Sequence, residues 1–239
     1  MSNFKLDKEN INEYIKEVAK IYCKNKMNPP IEIIIVGGAA IMMRHNFRMM
    51  TNDIDALCPM NGAIQDAFKQ VRDKYNLPDD WFNTDFTKTK SYSKNLRLYS
   101  KYYREFNHGK LSVRLIENEY LLAMKMRSGR IYKKDMSDVV GIVYECRQKN
   151  PNFSYQMVEK AYHDLYNEEL KATSSIQMDR ILTETFMQPI DKLAALYNQV
   201  SNIENKNKST LLNIEKYTPN ILNENNVENY IDTDFDIEI

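Results

Sequence analysis

Two aspartates one residue apart, Asp53 and Asp55, and a glycine pair, Gly37 and Gly38, are the residues of this 239-residue chain whose types and spacing best suit chemistry. Side chains two positions apart on a strand point to the same face, so Asp53 and Asp55 would present their carboxylates together. The glycines follow the run Ile33-Ile34-Ile35-Val36, with fourteen residues between Gly38 and Asp53. A glycine turn leading from a strand into a helix offers backbone N–H groups with no Cβ in the way, which suits phosphate oxygens. Carboxylates bind hard cations such as Mg2+, and such a cation bridges phosphate oxygens. Taken together, the two features suit a metal-bound nucleotide, with Asp53 and Asp55 as metal ligands and Gly37 and Gly38 against phosphate. Thr51 adds a hydroxyl just ahead of the acids. Each feature also has a plainer reading: an Asp-x-Asp or a threonine that caps a turn, and a glycine pair that makes a tight bend. Arg44 and Arg48, one helical turn apart, face either the triphosphate or solvent, and neither is assigned to the site.

The elements around these residues follow from hydrophobic spacing. Ile11, Tyr14, Ile15, Val18, Ile21 and Tyr22 predict a helix over residues 9–25, which Asn28-Pro29-Pro30 ends. The unbroken β-branched run from Ile31 to Val36 predicts a strand covered on both faces. A helix over residues 39–47, a strand over 53–57 and a third helix opened by Asn61-Gly62 follow. Residues 81–116 hold strand-like pieces, most clearly Leu111–Leu115 after the turn Asn107-His108-Gly109. From Asn118 onward helices are predicted over 120–127, 135–147, 154–170 and 176–200, with Pro189 kinking or breaking the last. The predicted class is α+β: a mixed β-sheet domain over residues 1–116, a helical domain over 117–200, and an Asn-rich acidic tail over 201–239 that is mobile unless something pins it.

Composition narrows the setting. No apolar run approaches the ~18 residues of a membrane span, and the first residues lack a signal peptide's apolar stretch, so a cytoplasmic protein with no membrane partner is expected. Cys23, Cys58 and Cys146 are too widely spaced for a disulfide framework or a zinc site, and read as half-buried thiols. The formal net charge of zero conceals an asymmetry: residues 88–110 carry a net of plus six and residues 217–239 a net of minus six. Tyr92, Tyr99, Tyr102 and Tyr103 interleave with the cations. Such a surface binds RNA, or is a solvated hairpin with half-buried tyrosines.

Val36-Gly37-Gly38 with Thr51 and Asp53-Ile54-Asp55 resembles the core motif of DNA polymerase beta-like nucleotidyltransferases. Tyr120-Leu-Leu-Ala-Met-Lys125 to Arg130, then Lys134-Asp135-Met-Ser-Asp138, resembles the helices of the small bacterial branch related to AbiEii-type toxins. The resemblance covers residues 30–145. It implies a magnesium-dependent transfer of NMP from a nucleoside triphosphate to an RNA (tRNA) or protein acceptor, in a toxin-like or defence-related role with a cognate antitoxin. It implies that Lys125 binds phosphate and serves catalysis, and that Asp138 orients it or acts as base. On the residues themselves, Lys125 is equally a solvated helix position, and Asp135 with Asp138 equally a helix N-terminal capping pair. Most members of the fold add a third carboxylate from a neighbouring strand. Here the other face of 111–116 shows Ser112 and Arg114, and Glu117 is the nearest acid. The alternative is therefore a catalytically silent member of the fold that binds nucleic acid or a partner protein.

Overall fold

The first helix, α1, runs Lys8–Tyr22 in the computed structural model. Asp7 caps it, accepting from the backbone of Glu9 and Asn10, while Asn10 returns a bond to Asp7 N, so the exposed N–H groups of the first turn are satisfied. The structure describes residues 4–130, 132–223 and 226–231. It divides into two units, residues 1–121 and 122–239, and the division falls inside one helix.

In the first unit, β1 (Ile31–Ile35) leads directly into α2 (Gly37–Arg44). Then come β2 (Ile54–Leu57), α3 (Gly62–Tyr75), β3 (Phe82–Asn83), β4 (Ser100–Phe106) and β5 (Leu111–Ile116). They form one mixed sheet in the order β3-β2-β1-β5-β4. β1 pairs antiparallel with β2 and parallel with β5, β2 pairs parallel with β3, and β4 pairs antiparallel with β5. The central position of β1 explains its composition, because Ile33, Ile34 and Ile35 are all buried. α1 and α3 pack together, with the Tyr14 and Tyr75 rings 4.7 Å apart and Trp81 edge-on to Tyr14. Two expectations shift here. The glycines are the first residues of α2 rather than a turn before it, and Asp53 precedes β2 instead of lying within it.

The basic segment is largely compensated. Lys88 pairs with Asp85, Arg97 with Glu32, and Lys101 with Glu117. Lys110 donates to the carbonyls of Asn25 and Lys26, just past the end of α1. Lys90, Lys94 and Arg104 are the exposed cations of the stretch outside these pairs. Of the cysteines, Cys58 and Cys146 are buried, and burial pushes the Cys58 thiol up to about 12.

The second unit is helical. α4 (Asn118–Ser128) enters it and is followed by α5 (Asp135–Lys149), α6 (Tyr155–Tyr166), the single turn α7 (Leu170–Thr173), α8 (Ile176–Met187) and α9 (Ile190–Tyr217). Pro189 separates α8 from α9 as the residue before the last helix, where its fixed φ and missing N–H cost nothing. No described helix is long and apolar enough to cross a membrane.

α9 continues well past residue 200, where a tail was expected to begin. Its buried stripe is Leu193, Leu196, Val200, Glu204 and Asn207, so the helical spacing persists after the apolar residues end. Of the remaining acidic stretch, residues 224–225 and 232–239 lie outside the described residues.

Glu204 is 3 % exposed and reaches the start of α5, where its Oε1 accepts from Met136 N (2.9 Å) and Ser137 N (3.2 Å). It thereby satisfies two of the unpaired donors that begin every helix. Burial, helped by the charge of Asp138, pushes its carboxyl up to about 8 against those two bonds. Glu204 thus holds its proton to higher pH than an ordinary carboxyl does. A folded-state pKa above the unfolded value near 4.5 removes stability as pH rises, beginning above 4.5 and complete beyond 8. The full effect is roughly 5 kcal/mol. Thermal melts from pH 6 to 9 should show a falling midpoint for the wild type and a much flatter profile for Glu204→Gln. A Glu204→Gln profile parallel to wild type would assign the alkaline loss elsewhere.

Candidate functional site

The end of β1 and the start of α2 bring most of the sequence-predicted residues of the first unit together. Val36 is the N-cap of α2, with no side-chain cap and no acidic residue in the first turn, so the amides of that turn lack an internal partner. Val36 N donates to the Asp55 carbonyl (2.9 Å), which continues the β1–β2 ladder one step beyond the end of β1 and sets Asp55 beside Gly37. Gly37 has φ +59°, a left-handed conformation that disfavours any side chain, and a Cβ there would stand 3.1 Å from Asp55 Oδ2. The carboxylate of Asp55 therefore lies over the first residue of the helix.

At Gly38 a Cβ would meet Arg48 Nη2 at 2.5 Å, Arg48 Cζ at 2.9 Å and Thr51 Oγ1 at 2.9 Å. The guanidinium and the hydroxyl sit in the space left by the missing side chain. Thr51 is buried, and its backbone is fixed by a two-bond bridge with Leu6, Leu6 N to Thr51 O at 2.7 Å and Thr51 N to Leu6 O at 2.9 Å. Asp53 follows two residues later, immediately before β2 and partly exposed. A helix N-terminus with a hydroxyl and a guanidinium at Gly38, and Asp55 at the adjacent Gly37, suit a triphosphate on the donors and a cation on the acid.

Arg48 is the residue that sequence reasoning missed. The two arginines part company in the fold: Arg44 Nη2 donates to the Leu115 carbonyl (2.9 Å) and ties α2 to β5, while Arg48 turns to Gly38 and Thr51. The sequence offers one signal, an arginine shortly before Thr51. Its direction depends on the irregular backbone of residues 45–50, which no periodicity describes.

The donor set of Asp53 and Asp55 fits Mg2+, which is commonly held by one or two carboxylates together with substrate phosphates. No group of three metal-capable side chains occurs among the described residues. Arg114, level with Ile34, donates to both the hydroxyl and the carbonyl of Ser100, and Glu117 is held by Lys101 at 2.5 Å.

Gly38→Ala should test the phosphate cradle. Gly38 lies in the first turn of α2, where the interior advantage of alanine, about 1 kcal/mol, does not apply in full, and a Cβ must displace Arg48 and the buried Thr51, so a modest fall in the thermal midpoint is expected. Triphosphate affinity should fall about tenfold or more, since Arg48 and Thr51 must both move. Unchanged affinity by calorimetry would place the phosphates elsewhere.

In the second unit, Lys125 and Asp138 are brought together, and Asp135 joins them. Lys125 Nζ lies 2.6 Å from Asp135 Oδ1 and 2.8 Å from Asp138 Oδ2, with side-chain exposures of 9 %, 1 % and 2 %. Arg130 adds bonds to Asp135 from Nε (3.1 Å) and its backbone N (3.3 Å). Burial alone would raise the Asp135 pKa, but the charges of Lys125 and Arg130 outweigh it and hold the carboxyl well below the usual range. Lys125 is thus a buried, doubly paired ammonium, not a solvated helix residue. Asp135 and Asp138 reach for it across the α4–α5 connection, while the capping of α5 falls to Glu204.

No curated protein and no solved structure matches the chain. Residues 10–189 match the family described as Nucleotidyltransferase of unknown function (DUF6036). That match spans most of the chain, including the glycine pair, both aspartates and the Lys125 cluster, and the protein therefore belongs to this nucleotidyltransferase family.

Proposed function

We propose that the protein is a magnesium-dependent nucleotidyltransferase that moves NMP from a nucleoside triphosphate to a hydroxyl of an RNA (tRNA) or protein acceptor and releases pyrophosphate. The observation that carries this reading is the convergence of Gly38, Arg48, Thr51 and Asp55 on the uncapped start of α2. In it, the amides of the first turn, Thr51 and Arg48 hold phosphate oxygens, and Gly37 and Gly38 let the backbone approach them. Asp53 and Asp55 would hold the metal, which when bound neutralises phosphate charge and polarises the phosphorus under attack. Lys125 is proposed to neutralise charge on the leaving group and Asp138 to orient it or act as base.

A toxin-like or defence-related role, with a cognate antitoxin as partner, extends the proposal. It is supported by the resemblance of the stretches around Lys125 and Asp138 to AbiEii-type toxins. Incubation with α-labelled triphosphates, magnesium, and tRNA or protein should transfer label to one acceptor class. No label with any triphosphate and no pyrophosphate released would contradict the proposal.

One observation favours a second reading, a silent fold used for binding. The place where relatives carry a third acid is taken by Ser112 and Arg114, and Glu117 is committed to Lys101. On that reading the protein binds RNA or a partner protein, and binding persists after Asp53 and Asp55 are replaced.

A further inference from the structure

We propose that the helical unit carries a separate binding site for a nucleotide unit, in the cleft between the end of α5, the start of α6, α7 and α8. The cleft has a volume of about 380 Å³, at the lower end of the range for small-molecule sites. Its walls combine two chemistries. Phe153 and Phe186 have ring centroids 6.0 Å apart, and Tyr155 stands edge-on to Phe186 at 6.1 Å, which gives the cleft aromatic faces. Lys171 and Arg147 give it positive charge, and no carboxylate lines it among the described residues.

Both cations are placed to act on a ligand. Arg147 Nη1 donates to the carbonyls of Thr185 (3.2 Å) and Gln188 (2.8 Å), so the guanidinium is fixed in the wall as a permanent charge. The exposed Lys171 ammonium lies 5.6 Å over the Tyr155 ring and forms no ion pair with a described residue. Asp179, the acid bonded to Tyr155, is already occupied by that hydroxyl at 2.9 Å. The Ser154 hydroxyl, at the head of α6, makes no capping bond and adds a neutral donor beside the cations.

A simple anion would use the charges but not the rings, and an acyl chain would use the rings but not the charges. A nucleotide uses both, its base against the aromatic side chains and its phosphate toward Lys171. The same unit could arrive as a free mononucleotide or within single-stranded RNA. The inference stands apart from the transferase reading, because it involves none of the residues assigned to that site.

The test uses the full chain carrying Gly38→Ala, Asp53→Asn and Asp55→Asn, with a chelator present, so that neither the phosphate donors nor the acids of the candidate triphosphate site contribute. Calorimetric titration with AMP should show binding that Lys171→Glu weakens at least tenfold without changing the melting midpoint, since Lys171 is exposed. Inorganic phosphate should bind at least tenfold more weakly than AMP. A hexa-adenylate that binds more tightly than AMP would identify a strand as the source, and equal affinity would identify the free nucleotide. Equal AMP affinity in wild type and Lys171→Glu, phosphate binding as tight as AMP, or no binding of either adenylate would each overturn the proposal.

Discussion

Replacing Asp53 and Asp55 together with asparagine is expected to lower NMP transfer at least ~10³-fold. Asparagine keeps the shape of each side chain and removes the charge that a hard cation needs. Both positions are partly exposed, one just before β2 and one in it, so the loss should leave the thermal midpoint within about 2 °C of wild type. Pyrophosphate release and a melt on the same preparation separate the two effects. Retained turnover would move catalysis away from these acids, and a collapsed midpoint would show that they serve the fold.

Lys125→Met is expected to destabilise the protein by about 3–5 kcal/mol, lowering the midpoint by roughly 10 °C. Methionine fills the space but leaves Asp135 and Asp138 without the ammonium now 2.6 and 2.8 Å away. Arg130 compensates Asp135 in part, and Asp138 is left with the larger deficit. The depressed Asp135 pKa gives the pH dependence its sign: the stabilisation is present above the usual carboxylate range and is lost as pH falls below it. Urea titrations at pH 7 and at pH 2.5, below the usual carboxylate range, should therefore show a smaller acid-induced loss in Lys125→Met than in wild type. A cost under about 1 kcal/mol would show that the pairing matters little to the fold, and would strengthen the proposed phosphate role of Lys125.

The parts of the fold legible from sequence are those where one physical demand dominates. The β1 run reads as a strand covered on both faces, Pro189 as a kink or break in a helix, and Gly37 with Gly38 as a close backbone approach or a tight bend. β3, two residues long, carries too little pattern to be read. The extent of α9 was hidden because its buried stripe changes from leucine and valine to Glu204 and Asn207, and polar residues on a helix ordinarily face water. The candidate site was half legible. Its acids and glycines are local motifs, whereas the approach of Arg48 to Gly38 is set by an irregular loop. Lys125 illustrates the reverse case: its resemblance to a family lysine suggested phosphate, but its carboxylate partners lie ten and thirteen residues away, across a turn between helices.

The most direct test of the central claim is calorimetric titration of the full chain with ATP, GTP, CTP and UTP, with and without magnesium, alongside the Asp53→Asn, Asp55→Asn variant. The account predicts magnesium-dependent binding of at least one triphosphate, lost in the variant. Binding indifferent to magnesium and to both substitutions, or no binding of any triphosphate, would contradict it.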